Sequence, residues 1–200
     1  MSAVEGLGAV GVPGQAGQGE RPHGAGGVVV PDPFVGRAAA RSSFADGASA
    51  CVITCSDRAS SGEYEDVSGR ILCERLTAWG FEVAAVLVGD GEPVRDAVGA
   101  AVRAGVRVVL TSGGTGVASR DLTPEMTEAF IDRPLPGVAE AIRAVGIARG
   151  VPTSMLSRGC AGMAGESFVV NLPGSSGATR DALDVLADVL PHVLVQTGSV

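Results

Sequence analysis

The sequence contains no lysine, because all fifteen of its basic residues are arginine. A P-loop, a lysine Schiff base and a lysyl-adenylate each require that residue, so these three kinds of site are excluded. Histidine is almost as scarce: His23 lies in a Gly-rich stretch and His192 follows Pro191 late in an apolar segment. A histidine-dependent triad or a histidine-rich metal site is therefore not expected. Any metal should be a hard ion with oxygen ligands, such as Mg²⁺.

Aromatic residues make up only 4% of the chain, so the core must be built from Val, Leu, Ile and Ala. The formal net charge of −7 argues against nucleic-acid partners and anionic membranes, since both are bound by a basic face. Apolar runs stay far below 18 residues, and the N-terminus lacks the pattern of a secretion signal. The four cysteines, too few for a disulfide scaffold, are interpreted as buried reduced thiols. We therefore expect a cytoplasmic protein without a membrane partner.

Two regions of different composition follow one another along the chain. Residues 1–48 are rich in Gly, Ala, Pro and Gln without apolar periodicity, which predicts a disordered extension. Residues 49–200 alternate short apolar runs with stretches of helical periodicity, which predicts one α/β domain whose mostly parallel sheet is covered on both faces. The expected strands are Ala50–Thr54, Phe81–Val88, Val106–Leu110, a weaker one over Ser157–Met163, and Ser167–Leu172. The expected helices are Ser68–Trp79, Glu92–Ala104, one capped by Thr123, Gly137–Ala148, and Ala178–Gln196.

Polar, Gly-rich segments follow four of the expected strands. Ligands of open α/β sheets bind beyond the carboxyl ends of parallel strands, so these segments should meet at one edge. Glycines let the backbone approach an anion, and the start of a helix offers N–H groups to it. Two aspartates near phosphates suggest a Mg²⁺ site. The candidate binding residues are Ser56, Arg58, Ser112, Gly113, Gly114, Thr115, Gly116, Arg120, Pro173, Gly174 and Ser175, and the candidate catalytic and metal-binding residues are Asp90 and Asp121.

Each of these features also has a purely structural interpretation. The Gly-Gly-Thr-Gly string is equally compatible with an ordinary tight turn, and Ser175 or Ser176 with simple helix capping. Asp90 and Asp121 are compatible with solvated turn residues, and Arg58 with a surface charge. The functional interpretation is favoured by the expected convergence of acids, arginines and Gly-rich loops on one sheet edge.

Five segments in a fixed order carry a family resemblance, and together they cover the chain after residue 48. They are SDRASSGEYEDVSG (56–69), TSGGTGVASRDLTPE (111–125), PGVAEAIR (136–143), TSMLSRG (153–159) and NLPGSSGA (171–178). In these segments the chain resembles the MogA/MoaB family of molybdenum-cofactor biosynthesis proteins, which is related to the N-terminal domain of gephyrin. One departure is Ser176, where the family usually has proline.

The resemblance implies a three-layer α/β/α fold, a homotrimer, and transfer of AMP from Mg·ATP to the phosphate of molybdopterin with release of pyrophosphate. The two aspartates important in the family match Asp90 and Asp121. It also implies contact with the molybdate-insertion protein. Two alternatives stay open: a molybdopterin-binding paralogue without turnover and, from the fold alone, a nicotinamide-dependent oxidoreductase.

Overall fold

The computed structural model describes residues 43–63 and 65–200, in which six strands form one sheet and helices cover it. The strands are β1 Ser49–Cys55, β2 Glu82–Val88, β3 Val108–Ser112, β4 Arg133–Pro134, β5 Ala161–Ala164 and β6 Ser167–Leu172. The helices are α1 Asp57–Ser60, α2 Val67–Ala78, α3 Glu92–Arg103, α4 Thr123–Glu128, α5 Pro136–Ala148, a 3₁₀ helix Pro152–Leu156, and α6 Ser176–Gln196.

The sheet has the strand order β2-β1-β3-β6-β5-β4. Strands β2, β1, β3 and β6 are mutually parallel, whereas β5 and β4 pair antiparallel at the other edge. The predicted mostly parallel sheet is therefore confirmed. Because β1, β2, β3 and β6 point the same way, the segments that follow them emerge at one edge of the sheet.

The side chains of β1 point alternately to the two faces of the sheet, and each face carries its own apolar core. Val52 faces the core formed with α2, α5 and α6, whereas Cys51, Ile53 and Cys55 face the core formed with α3. Successive side chains of a strand point to opposite faces, and here each face is covered by helices. The result is the three-layer α/β/α arrangement that was expected. All four cysteines are free thiols, but only Cys51 and Cys55 are buried as predicted, whereas Cys73 and Cys160 are half-buried.

Two predicted strands lie elsewhere than expected. Gly105, with a φ of +73°, ends α3, and the N–H of Val106 donates back to the Ala101 carbonyl. Val106 therefore belongs to the C-terminal turn of the helix, and β3 starts two residues later than predicted. The weak strand predicted over Ser157–Met163 is also wrong in extent, because the observed strand β5 covers only Ala161–Ala164 and residues 157–160 form neither helix nor strand.

The predicted helix ends are partly confirmed. Gly80, with a φ of +94°, follows α2, and Ser175 caps α6 by accepting a hydrogen bond from the Ala178 N–H at 3.4 Å. The predicted Thr123 cap is wrong: Leu122 holds the cap position of α4, and the buried Thr123 Oγ1 bonds to none of the described residues. None of the helices within residues 43–63 and 65–200 combines the length and apolar character needed to cross a bilayer.

Residues 43–48, which were included in the predicted extension, pack against the rest of the chain. The backbone N–H groups of Phe44 and Ala45 both donate to the Trp79 carbonyl at 2.9 Å. The Phe44 ring packs 5.5 Å from Trp79 and edge-on against Phe81, and Ala45 is fully buried. Residues 43–48 therefore belong to the domain, since their few apolar side chains complete the core beside α2. The rest of the predicted extension, residues 1–42, lies outside the described residues.

Candidate active site

A polar cavity of about 450 Å³ opens where the segments after β1, β2, β3 and β6 meet. Nine of the thirteen residues predicted for the site line it. The lining residues are Thr54, Cys55, Ser56, Asp57, Arg58, Ala59, Asp66, Ser68, Asp90, Ser112, Gly113, Gly114, Arg120, Asp121 and Gly174. The convergence predicted from the strand order thus produces one cavity.

The segment after β1 turns at once into the short helix α1. Ser56 caps this turn, because its Oγ accepts a hydrogen bond from the Ala59 N–H at 3.2 Å. The next residue, Asp57, reaches the neighbouring loop, where its Oδ1 accepts the N–H of Asp90 at 2.9 Å. This bond fixes the start of the segment after β2. Arg58 presents its side chain to the same cavity.

The surroundings of the Asp90 carboxyl group leave one of its oxygens unpaired and raise its pKa. Its Oδ1 is buried and finds no hydrogen-bond partner among the described residues. Burial raises the pKa of Asp90 above its ordinary value, and the nearby carboxylates of Asp57 and Asp121 raise it further, against the opposing effect of Arg120. A half-buried carboxylate with an unsatisfied oxygen is costly to the fold, and such groups cluster at functional sites.

Two glycines bring the loop after β3 against its neighbours. Gly113 has a φ of +104°, and a β-carbon there would lie 2.4 Å from the Cys55 carbonyl oxygen. Gly114 has a φ of +62°, and its β-carbon would lie 2.3 Å from Thr123 Oγ1 and 3.1 Å from Asp90 Oδ1. Glycine is required at both positions for backbone conformation and for space. The loop backbone consequently lies directly beside the Asp90 carboxylate.

Asp121 closes the same loop. Its Oδ2 accepts the Ala118 N–H at 2.9 Å, and its own N–H donates to the Ala118 carbonyl at 2.9 Å. A β-carbon on Gly116 would lie 2.7 Å from Asp121 Oδ2. The position of this carboxylate therefore depends on the local folding of residues 116–121.

Four predicted residues shape the site from outside the cavity. Thr115 is buried, and Gly116 lies behind Asp121. The carbonyl of Pro173 accepts a hydrogen bond from Ser112 Oγ at 3.4 Å, and Ser175 caps α6. These residues hold the loops in place.

The site also contains residues that the sequence interpretation missed, two of them at the start of α2. Asp66 caps this helix by accepting the Gly69 N–H at 2.8 Å, and it accepts a second hydrogen bond from Thr54 Oγ1 at 2.6 Å. Ser68 Oγ donates to the Gly174 carbonyl at 2.9 Å, which joins the starts of α2 and α6. Asp66 could have been identified from the sequence as the N-cap of α2, three residues before Gly69. Asp57 was also missed, although it stands between two predicted site residues.

The charges of the cavity are predominantly negative. Four aspartates line it, at positions 57, 66, 90 and 121, against two arginines, Arg58 and Arg120. An anionic ligand would therefore need a cation in addition to the arginines and the loop N–H groups. Within the described residues, no three side chains of His, Cys, Asp or Glu are grouped so that they alone could hold a metal ion.

Comparison with known proteins gives a consistent picture. The profile of a family described as "Probable molybdopterin binding domain" matches residues 51–192. A molybdopterin adenylyltransferase of Helicobacter pylori is 36% identical over 146 residues, which are 70% of this chain and 82% of that protein. A molybdenum cofactor biosynthesis bifunctional protein of Synechococcus elongatus is 39% identical over 150 residues, 74% of this chain and 47% of that protein.

Solved structures agree with these relatives. The molybdopterin biosynthesis Mog protein of Mycobacterium ulcerans superimposes with a TM-score of 0.73 at 50% identity, covering 76% of this chain and 99% of that one. The chain spans about half the length of the bifunctional relative and about four fifths of the H. pylori protein.

Proposed function

The chain belongs to the probable molybdopterin binding domain family, and from that premise we propose that it is a molybdopterin adenylyltransferase of molybdenum-cofactor biosynthesis. In the proposed reaction an oxygen of the molybdopterin phosphate attacks the α-phosphorus of ATP. A phosphorus–oxygen bond forms there, the bond to the bridging oxygen of the β-phosphate breaks, and pyrophosphate leaves. The product is adenylylated molybdopterin.

Two kinds of observation support this proposal. Relatives from Helicobacter pylori, Haemophilus influenzae and Escherichia coli, at 34–36% identity, are named molybdopterin adenylyltransferase. The cavity also suits a phosphoryl-transfer reaction, in which alignment and charge stabilisation make most of the catalytic contribution. The observation that carries the proposal is the buried Oδ1 of Asp90, which has no hydrogen-bond partner in residues 43–63 and 65–200 and lies beside the loop backbone in an acidic cavity.

The residues of the cavity fit a magnesium ion brought in with the nucleotide. Mg²⁺ usually takes one or two protein carboxylates and completes its shell with phosphate oxygens and water, so a pair of aspartates suffices. Asp121 would hold or orient it near the phosphates, and Asp90 lies beside the Gly113–Gly114 turn with an oxygen that has no partner among the described residues. When bound, the ion would neutralise charge on the phosphates.

The chain's own groups then have separate tasks. The backbone of Gly113 and Gly114 lies at the cavity, where its N–H groups and the start of α6 near Gly174 would bind phosphate oxygens. Arg58 and Arg120 supply the only cationic side chains among the lining residues, and they would take up the charge that a lysine supplies in other nucleotide sites. The Asp57 carboxylate fixes the position of Asp90 by accepting a hydrogen bond from the Asp90 backbone N–H.

We also propose that the protein works as a cytoplasmic homotrimer and passes its product to a molybdate-insertion protein. The structural support concerns the subunit contact: β2 is an edge strand, and Val86 and Leu87 on it are more than 40% exposed. An exposed apolar edge strand favours association with another chain. Light scattering at micromolar concentration should give a trimer mass, and a monomer mass would refute this part of the proposal.

Turnover with defined substrates tests the proposed activity. Purified protein should convert ATP to pyrophosphate only when both Mg²⁺ and molybdopterin are present, with one adenylylated pterin formed per pyrophosphate. An inactive molybdopterin-binding paralogue would bind the pterin, measured by its fluorescence, without forming either product. Pyrophosphate release independent of molybdopterin would contradict the assigned acceptor.

A further inference from the structure

We propose that Arg158, on the segment between the 3₁₀ helix and β5, is a positioning residue that holds the Asp121 loop in its working conformation. This inference rests on the proposed function for its catalytic meaning, because Asp121 is one of the two carboxylates assigned there. Arg158 does not line the cavity, so it would act through the loop.

The Arg158 guanidinium binds three separate acceptors around that loop. Its Nε donates to the Gly116 carbonyl at 2.8 Å. One terminal nitrogen donates to the Asp121 carbonyl, and the Glu125 carboxylate on α4 accepts from both terminal nitrogens. The backbone N–H of Arg158 adds a fifth bond, to the Thr115 carbonyl at 2.8 Å. A single residue thus connects both ends of residues 115–121 with the first turn of α4.

The segment that carries Arg158 is itself fixed. Arg143, a half-buried residue of α5, donates from one nitrogen to the carbonyls of Ser157 and Gly159, both at 3.1 Å. These are the residues on either side of Arg158. The guanidinium is therefore presented from a segment that is also tied to α5, so its position does not depend on the loop alone.

The loop needs such support because its own bonds are few. Asp121 is tied within the loop mainly through Ala118, and residues 117–120 are exposed. If Arg158 is removed, the carbonyls of residues 116 and 121 turn to water and the Asp121 carboxylate samples several positions. A carboxylate that must meet a metal or a phosphate within a few tenths of an ångström loses effectiveness when its supporting bonds are absent.

The geometry distinguishes arginine from lysine at this position. Only a planar guanidinium presents donors in three fixed directions, whereas an ammonium group is a compact charge that bonds to one or two acceptors at this spread. Arg158→Lys should therefore behave more like Arg158→Ala than like the native protein. A purely electrostatic role would instead be rescued by lysine.

The test compares Arg158→Ala and Arg158→Lys with Arg107→Ala as a matched control. Arg107 also forms an ion pair, with Glu166, but it precedes β3 at the opposite end of the sheet. Adenylyl transfer is measured as a function of Mg²⁺ at saturating ATP, and amide hydrogen exchange is followed across residues 115–123. Both Arg158 variants should lose about tenfold to a hundredfold in turnover or in apparent Mg²⁺ affinity, the range found for outer-shell partners of metal ligands. Exchange of the loop amides should rise, while Arg107→Ala leaves turnover and loop exchange unchanged.

The exchange measurement separates this inference from the proposed function. If the native protein fails to transfer AMP but the loop amides of both Arg158 variants exchange faster, the function fails while the positioning role stands. Unchanged loop exchange together with turnover within twofold of native would overturn the role of Arg158. A lowered melting temperature with normal turnover at 25 °C would also overturn it, because it would identify a structural contact only.

Discussion

Asp90→Asn should separate stability from activity. The substitution removes the negative charge from a half-buried group that lies near Asp57 and Asp121 and whose Oδ1 has no partner among the described residues. Because that charge makes no compensating hydrogen bond at Oδ1, its removal should leave the fold as stable or slightly more stable. The group is partly exposed and screened by water, so the gain should not exceed about 1 kcal/mol, or roughly 2–4 °C in melting temperature.

The activity of the same variant should fall strongly. Asn keeps the shape of the side chain but cannot supply the carboxylate that the proposed metal and phosphate chemistry requires. We expect the rate of adenylyl transfer at saturating Mg·ATP to drop about a hundredfold to a thousandfold, the scale for losing one electrostatic contact to a transition state. Asp96→Asn, on the exposed face of α3, is the matched control and should change neither property.

The stability difference should depend on pH in a defined direction. The pKa of Asp90 in the folded protein is raised from the ordinary value of 3.8, mainly by burial, so the folded state binds this proton more tightly than the unfolded chain. Between these two pKa values the native protein therefore loses stability as the pH rises. Asp90→Asn lacks this loss, so its advantage in melting temperature should be absent below the ordinary pKa and complete above the raised one. A variant that melts several degrees lower at neutral pH, or that turns over at a near-native rate, would refute this account of Asp90.

Three further predictions concern the surroundings of the site. Gly114→Ala should lower the free energy of unfolding by about 2–3 kcal/mol and turnover by more than tenfold, because the residue has a φ of +62° and its new methyl group would collide with Thr123. The control Gly177→Ala has nothing within 4 Å of its β-carbon and should be neutral or stabilising in thermal unfolding. A chain that begins at Ser43 should keep its melting temperature. One that begins at Ser49 lacks the packing of Phe44 and should lose roughly 2–4 kcal/mol of unfolding free energy. Equal melting temperatures of the two chains would contradict the importance of this packing. Asn171→Ala should lower the free energy of unfolding, measured by chemical denaturation, by about 3 kcal/mol, because the buried Asn171 amide donates to Thr111 at 2.9 Å and to Thr127 at 3.0 Å. A decrease below about 1 kcal/mol would show that water replaces the amide in these hydrogen bonds.

The parallel sheet and the location of the site could be predicted because they depend on local patterns. Apolar runs such as the one around Ile53 alternate with helical periodicity, and that order leaves few topologies for a buried parallel sheet. Once the strands are parallel, the segments after them must share an edge, which is why Asp90, Asp121 and the Gly113–Gly114 turn could be assigned to one site. The parallel direction of the strands was thus sufficient to predict that these residues, far apart in the chain, lie close together.

The supporting contacts could not be predicted in this way. Asp57 and Arg158 act through hydrogen bonds to backbone groups of distant segments, and Asp66 accepts one from the side chain of Thr54. No spacing in the sequence encodes which carbonyl an arginine meets. The packing of Phe44 against Trp79 and Phe81 could not be predicted for the same reason, since these three residues are brought together only by the fold.

The sequence by itself determined the fold class, the edge of the sheet that carries the site, and the exclusion of lysine chemistry, because each follows from residue type and periodicity along the chain. Only the tertiary structure shows that the Asp90 carboxyl group has a buried Oδ1 without a partner among the described residues, and that the Asp121 loop is hydrogen-bonded to Arg158 from outside the cavity. A pKa shift or an unsatisfied oxygen depends on which groups surround an atom within a few ångströms. That neighbourhood exists only after the segments that follow β1, β2, β3 and β6 have been brought together.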